Sequence, residues 1–200
     1  MLFVALTGGY ATGKSHVGRM LQRLGCHLIQ ADELGRRAQA PDGEAYQSIV
    51  DMFGREILDA GGTINRRMLA LLAFDDAEKL GDLNAIVHPA VRRMEKAIVD
   101  EIVAREPRAI IVVEAAIHIE TGGHGRFDRL ILTVCEEGEQ IRRAMKRDKL
   151  SEEEVRARLR RQMPLEEKRQ FAHYIIDTSG TKAETWRQTR EVYNSIKSLT

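Results

Sequence analysis

Gly8-Gly9-Tyr10-Ala11-Thr12-Gly13-Lys14-Ser15 is the stretch whose reading decides the fold. It satisfies G-x-x-x-x-G-K-[ST] at each fixed position, the pattern of a phosphate-binding loop. Working outward, Leu2 to Leu6 is an apolar run of strand length, and Val17, Met20, Leu21 and Leu24 recur at helical spacing until Gly25. Strand, glycine loop and helix therefore stand in the order the chemistry requires. Glycines remove the Cβ atoms that would block an anion, and loop and first-turn N–H groups can then converge on phosphate oxygens. Lys14 adds a point charge for the β- and γ-phosphates, and the Ser15 hydroxyl can ligate Mg2+. The loop implies a nucleoside triphosphate and leaves open what is done with it.

Two hundred residues suit one compact domain with inserted pieces. Thirty-one Lys and Arg against 30 Asp and Glu leave a formal charge of +1, which argues against coating a nucleic acid polymer and makes any anion site local. Cys26 and Cys135 form no CxxC, and the six histidines show no ligand spacing beside them, so a reducing cytoplasmic setting is expected. The amino terminus enters a strand at once without a basic, cleavable leader, and no apolar run approaches membrane-spanning length. A soluble protein with no membrane partner is expected, a monomer or a weak homo-oligomer.

Cys26 to Ile29 reads as a second parallel strand, followed by Gln30-Ala31-Asp32. Open α/β sheets place ligand chemistry at the carboxyl ends of strands. Asp32 is thus a candidate general base for an attacking hydroxyl, or else the cap of a helix beginning at Glu33. Residues 33 to 105 read as almost entirely helical. Ile49, Val50 and Phe53 form one stripe up to Gly54, and Asp59 to Gly62 marks a turn. Arg66-Arg67 opens a helix with Met68, Leu71 and Leu72, as a solvated face or an anion contact. A further helix is expected to end at His88, with Pro89 in the first turn of the next one, which runs to Arg105. This block is too long for a simple crossover and reads as an inserted subdomain.

Ala109 to Val113 is a continuous β-branched run, the signature of a strand buried on both faces. Its following Glu114 can hold Mg2+ directly or through water. His118 and His124 read as surface histidines. Leu130 to Val134 supplies a fourth strand. Then comes the densest basic stretch, with Arg142, Arg143, Lys146, Arg147, Lys149, Arg156, Arg158, Arg160 and Arg161. Ser151 and Glu154 form a capping box inside it, so a charged helical hairpin is expected, a lid that brings arginines to phosphate and excludes water. Arg143 and Arg147 share one helical face. Glu166 to Ala172 reads as a short helix, Tyr174 to Ile176 as a fifth strand, and Trp186, Val192, Tyr193 and Ile196 as one face of a closing helix.

Taken together, these residues resemble the dephospho-CoA kinase family. The resemblance rests on Leu6-Thr7-Gly8-Gly9 through Gly13-Lys14-Ser15, Ala31-Asp32, Phe53-Gly54, Ile57-Leu58, Arg66-Arg67, His88-Pro89, Glu120, Gln140, Arg143, Arg147-Asp148, Gln162-Met163-Pro164 and Ser179-Gly180. It implies an α/β, three-layer nucleotide-kinase-like fold with a five-stranded parallel sheet. The core would comprise residues 1–32, 106–135 and 165–200, the helical acceptor-binding insertion 33–105 and the lid 136–164. It implies transfer of the γ-phosphoryl of ATP to the ribose 3'-hydroxyl of dephospho-CoA, with ATP and Mg2+ as cofactors. Gly8, Gly9, Ala11, Thr12, Gly13, Lys14, Ser15 and His16 would bind ATP, with Arg147 and Gly180. Asp32, Lys14 and Arg143 would act in catalysis, while Asp32, Arg66, Arg67, His88 and Glu120 would face the acceptor. Ser15 and Glu114 would meet the metal.

The chain departs from the family pattern at five positions. The family has aspartate where this chain has Gln30, Glu114 and His173, proline where it has Ala116, and asparagine near Thr178. Two rival readings stand beside this one: a kinase of another small acceptor such as a nucleoside, nucleotide or sugar acid, and a non-catalytic nucleotide-binding module. A GTPase switch should carry a late N-K-x-D element, and the sequence has none.

Overall fold

Buried on both faces, an inner parallel strand is apolar along its length, and Ile110–Glu114 (β3) is such a strand up to its terminal carboxylate. The computed structural model describes residues 1–74 and 76–200. Five strands, Leu2–Gly8 (β1), His27–Gln30 (β2), β3, Arg129–Val134 (β4) and Tyr174–Asp177 (β5), form one sheet in the order β2-β3-β1-β4-β5. Every pairing is parallel. The register pairs Leu6 and Gln30 with Glu114, Gly8 with Thr133, and Val134 with Asp177. The carboxyl ends of all five strands therefore share one edge, where an open α/β sheet binds its ligands.

Lys14–Arg23 (α1) and Lys182–Lys197 (α9) bury Val17, Leu21, Val192 and Ile196 against Leu2, Val4, Leu6, Val112, Ile131 and Ile176 of the sheet. The strands begin or end one residue from the sequence expectation, and β1 ends two residues later, because pairing register rather than hydropathy sets their limits. Glu137–Asp148 (α6), Glu152–Arg160 (α7) and Leu165–Arg169 (α8) follow β4. The Ser151 capping box is present. The helix expected to reach Ala172 stops at Arg169, and His173 Nδ1 accepts a hydrogen bond from the Leu130 amide.

The chain divides into two compact units, residues 1–30 with 102–200, and residues 31–101. The second unit contains Ala31–Ala38 (α2), Tyr46–Phe53 (α3), Arg66–Phe74 (α4) and most of Ala77–Arg105 (α5). Its core is Ala38, Ile49, Phe53, Ile57, Ile64, Leu69 and Ala90 with their neighbours. The break expected at Pro89 is absent, since α5 runs through it. Proline costs a helix one hydrogen bond and a clash with the preceding turn, yet Ala90 is 1% exposed and Val91 and Met94 pack on the same core. Burial on both sides of the proline holds the helix together.

His118 is not at the surface as expected: it is buried, bonded to the Val113 carbonyl at 3.0 Å and edge-on to Phe127. Both cysteines are free and buried. Burial pushes the Cys26 thiol up to about 12 and raises that of Cys135. Native protein at pH 8 is therefore expected to resist alkylation at Cys26, whereas denatured protein takes up reagent at both positions; mass analysis of labelled peptides checks this.

Candidate active site

The phosphate loop is shaped by what surrounds Gly8. A Cβ there would fall 2.1 Å from Thr133 Oγ1 and 2.7 Å from the Thr133 carbonyl, so the position admits glycine only. Thr12 Oγ1 donates to the Gly9 carbonyl at 2.9 Å and shares a hydrogen bond with Thr133 Oγ1 at 2.8 Å, fastening the loop to β4. Ala11 and Gly13 adopt positive φ of 59° and 81°. Left-handed residues between right-handed ones make consecutive N–H groups converge, the backbone nest that holds anions. Gly13 caps α1 without a side chain, which leaves first-turn donors for a ligand. Lys14 Nζ donates across the loop to the carbonyls of Gly8 at 3.5 Å and Gly9 at 3.3 Å.

Ser15 Oγ donates to Glu114 Oε1 at 2.5 Å, joining the start of α1 to the end of β3. Glu114 is 5% exposed, and its other oxygen accepts from Gln30 Nε2 at 3.1 Å. Two departures from the family pattern thus touch each other. Gln30 supplies a donor where aspartate would set a second carboxylate beside Glu114. One hydroxyl and one carboxylate are hard oxygen donors that fit Mg2+, which takes few protein ligands and completes its shell with phosphate and water. Among the described residues there is no cluster of three or more His, Cys, Asp and Glu that could hold a metal.

On the other side of the loop, Thr178 follows β5 and donates from Oγ1 to the Thr12 carbonyl at 2.8 Å. Arg143 reaches it from α6, donating to Thr178 Oγ1 at 3.0 Å and to the Thr178 carbonyl at 2.6 Å, with Nε on Glu139 at 2.8 Å. Arg143 therefore bridges α6 to the loop of Gly180, where a Cβ would meet the capping carboxylate Glu184 at 2.4 Å. His16 is depressed in pKa by burial and then by Arg19, Lys182, Arg23 and Arg143. Its imidazole is held neutral in a region of positive potential suited to an anionic ligand.

Arg147 donates from Nε and Nη2 to the two oxygens of Asp148, both at 2.8 Å, and its guanidinium lies 5.2 Å from the centre of the Tyr10 ring. Arg147 holds the Asp148 carboxyl down at about 2. A cavity of about 600 Å³ opens beside Gly9, lined among others by Cys135, Gln140, Leu159, Gln162 and Met163. Glu120, expected on the acceptor side, is the counter-ion of Lys168 at 2.6 Å. Lys168 is fully buried and also donates to the Ala116 carbonyl at 3.4 Å, which accepts from Thr7 Oγ1 as well. Sequence reasoning missed Lys168, Tyr10 and the anchoring part of Thr178. A lysine in a charged helix carries no signal that it will be the buried one.

In the second unit, Asp32 is not the residue that precedes a helix. It lies inside the first turn of α2, which starts at Ala31 directly after β2, and is exposed there. The helix thus starts two residues before the Glu33 that the capping reading takes as its first residue, and a carboxylate in a first turn is favoured by the helix dipole. Arg66 and Arg67 are exposed at the start of α4, whose first-turn amides at Arg67 and Met68 are capped by Asn65 Oδ1 at 3.1 and 3.2 Å. His88 is half-buried on α5, and burial followed by Arg92 lowers its pKa. These side chains place two exposed cations and a half-buried imidazole in the second unit.

Comparison with known proteins gives a consistent result. The family model described as CoaE, dephospho-CoA kinase, matches residues 2–184. The dephospho-CoA kinase of Geobacter sulfurreducens is 40% identical over 193 residues, covering 96% of this chain and 98% of that one. Among solved structures, TT1252 from Thermus thermophilus superposes with a TM-score of 0.83 at 33% identity, covering 100% of this chain and 98% of that one. Dephospho-CoA kinase from Campylobacter jejuni does so with a TM-score of 0.69 at 25% identity, covering 98% and 96%. With the loop, the strand-end carboxylate and the arginine-rich hairpin in place, this chain belongs to the dephospho-CoA kinase family.

Proposed function

We propose that this chain transfers the γ-phosphoryl group of ATP to the ribose 3'-hydroxyl of dephospho-CoA, giving CoA and ADP. One observation carries the reading: a chain matching the family over residues 2–184 keeps Ser15 Oγ hydrogen-bonded to the strand-end carboxylate of Glu114. In this reading the nest of residues 8–16 binds the triphosphate, and Lys14 exchanges its contacts with the Gly8 and Gly9 carbonyls for phosphate oxygens. Ser15 and Glu114 would hold Mg2+, which when bound supplies neutralisation of β- and γ-oxygen charge. Asp32, two residues beyond the end of β2, takes the proton of the attacking hydroxyl. Arg143 offsets charge on the transferring group, Arg147 binds ATP, and Gly180 lies in the loop that receives the nucleotide. Arg66, Arg67 and His88 bind the acceptor's phosphates. The enzyme works in the cytoplasm as a monomer or weak homo-oligomer.

The test is ADP release coupled to a colour reaction across an acceptor panel with ATP and Mg2+. Turnover is expected with dephospho-CoA and none with AMP, a nucleoside, shikimate or gluconate. Turnover on one of those and none on dephospho-CoA would reject the assignment, and binding of ATP without transfer to any acceptor would favour a non-catalytic module. Product analysis should locate the new phosphate on the 3'-oxygen.

A further inference from the structure

Position 10 is left unspecified by the phosphate-loop pattern, and in this chain it carries a tyrosine that most of the lid converges on. Its hydroxyl donates to the carboxylate of Asp148 at the end of α6 and accepts from Arg158 Nη1 of α7 at 3.2 Å. The guanidinium carbons of Arg147 and Arg158 lie 5.2 and 5.6 Å from the ring centre, both within cation–π range. Even the backbone of residue 10 is committed to the lid: its N–H donates to Gln162 Oε1 at 2.7 Å and its carbonyl accepts from Gln140 Nε2 at 3.1 Å. The ring and the neighbouring Ala11 methyl also pack on the small core of the hairpin, Ile141, Ala144 and Val155.

These contacts form one chain of donors and acceptors: Arg158 to the Tyr10 hydroxyl, Tyr10 to Asp148, and Arg147 to Asp148 along its Nε–Nη2 edge. That side-on contact spends two of the five guanidinium protons of Arg147. The other guanidinium protons, on its two amino groups, are donors that a phosphate can use.

We infer that Tyr10 is a positioning residue for the phosphoryl donor: through Asp148 it fixes the Arg147 guanidinium at the apex of the phosphate loop before ATP arrives. The inference rests on the reading of Arg147 as an ATP-binding residue. Its physical content is preorganisation. Ordering a long side chain only when the ligand binds subtracts from affinity, and a chain already ordered by a network spares that loss. Arg158, which takes the Tyr10 hydroxyl as acceptor, is drawn to the same apex. The effect belongs to the donor, so affinity for the acceptor is not involved.

Tyr10→Phe is the discriminating variant, because it keeps the ring, its cation contacts and its packing and deletes the hydroxyl alone. It is expected to raise KM for ATP about three- to tenfold. Its kcat and its KM for dephospho-CoA should stay within about twofold of the parent. Asp148→Asn should raise KM for ATP comparably, and the double variant no further than the larger single, since both break one network. Thermal melting of Tyr10→Phe should stay within about 2 °C. An unchanged KM for ATP in Tyr10→Phe, additive effects with Asp148→Asn, or a parallel loss of stability and of both KM values would each overturn the positioning role. Arg147→Ala separates the two layers. If it leaves KM for ATP unchanged, the reading of Arg147 fails and the inference with it; if it raises KM while Tyr10→Phe does not, only the inference fails.

Discussion

Asp32→Asn is expected to bind ATP as the parent does and to lose about 10²- to 10⁴-fold in kcat, the range over which a positioned general base contributes. The substitution keeps size and shape and removes only the ability to accept a proton. Asp32 is exposed in the first turn of α2, outside the buried core of its unit. The dipole of α2 favours the charged form there and is worth a few tenths of a kcal/mol at an exposed site, roughly 0.3–1. A change in melting temperature should accordingly be small while turnover collapses. The measurement is kcat with saturating ATP and dephospho-CoA, paired with ATP affinity by calorimetry. Full activity would show that Asp32 takes no part in proton transfer, and loss of ATP affinity in parallel with kcat would assign it to the donor instead.

Glu120→Gln is expected to be among the most destabilising conservative changes in the chain. The Lys168 ammonium is fully buried and its counter-ion is Glu120 at 2.6 Å. Neutralising Glu120 leaves that charge beside a neutral amide and the Ala116 carbonyl at 3.4 Å. Breaking a buried pair in this way costs about 3–5 kcal/mol. The reverse change is gentler. Lys168→Met leaves a carboxylate whose side chain is 22% exposed and can take up water, so its cost falls below that range. The double variant Glu120→Gln/Lys168→Met should recover part of the loss of Glu120→Gln, because no buried charge then remains unpaired. Denaturant melts of the three variants give the order directly. Equal losses, or a double variant worse than either single, would contradict the ion-pair account. A rise in KM for dephospho-CoA without a loss of stability in Glu120→Gln would place Glu120 on the acceptor side, as the family resemblance implies.

What could be read in advance divides along the range of the interactions. The loop from Gly8 to Ser15 was legible because its chemistry is local: a nest, a helix start and a lysine within eight consecutive residues. Glu114 was legible as a strand end because β3 is apolar throughout and the charge stands out. The Ser151 capping box was legible because its two halves are three residues apart. Pro89 was misread for the opposite reason. Its local preference points to a helix boundary, and the core around Ala90, Val91 and Met94 overrode it. The start of α2 at Ala31, two residues before the expected one, was not legible because the preceding strand and the helix share no turn signal between them.

By itself the sequence determined the class of fold, the phosphate-loop motif and the family, since hydrophobic period, glycine placement and motif spacing are properties of neighbouring residues. Only the tertiary structure decided which residues meet. Tyr10 finds Gln162 across 152 positions, Thr178 finds Thr12 across 166, and Ser15 finds Glu114 across 99. Those meetings follow from the order β2-β3-β1-β4-β5, which brings five strand ends to one edge, and strand order is set by packing the whole chain at once. The buried charge of Lys168 belongs to the same category. Nothing in Leu165-Glu166-Glu167-Lys168-Arg169 marks which of its charges the fold will bury, because a lysine is buried only when a distant carboxylate is delivered to it.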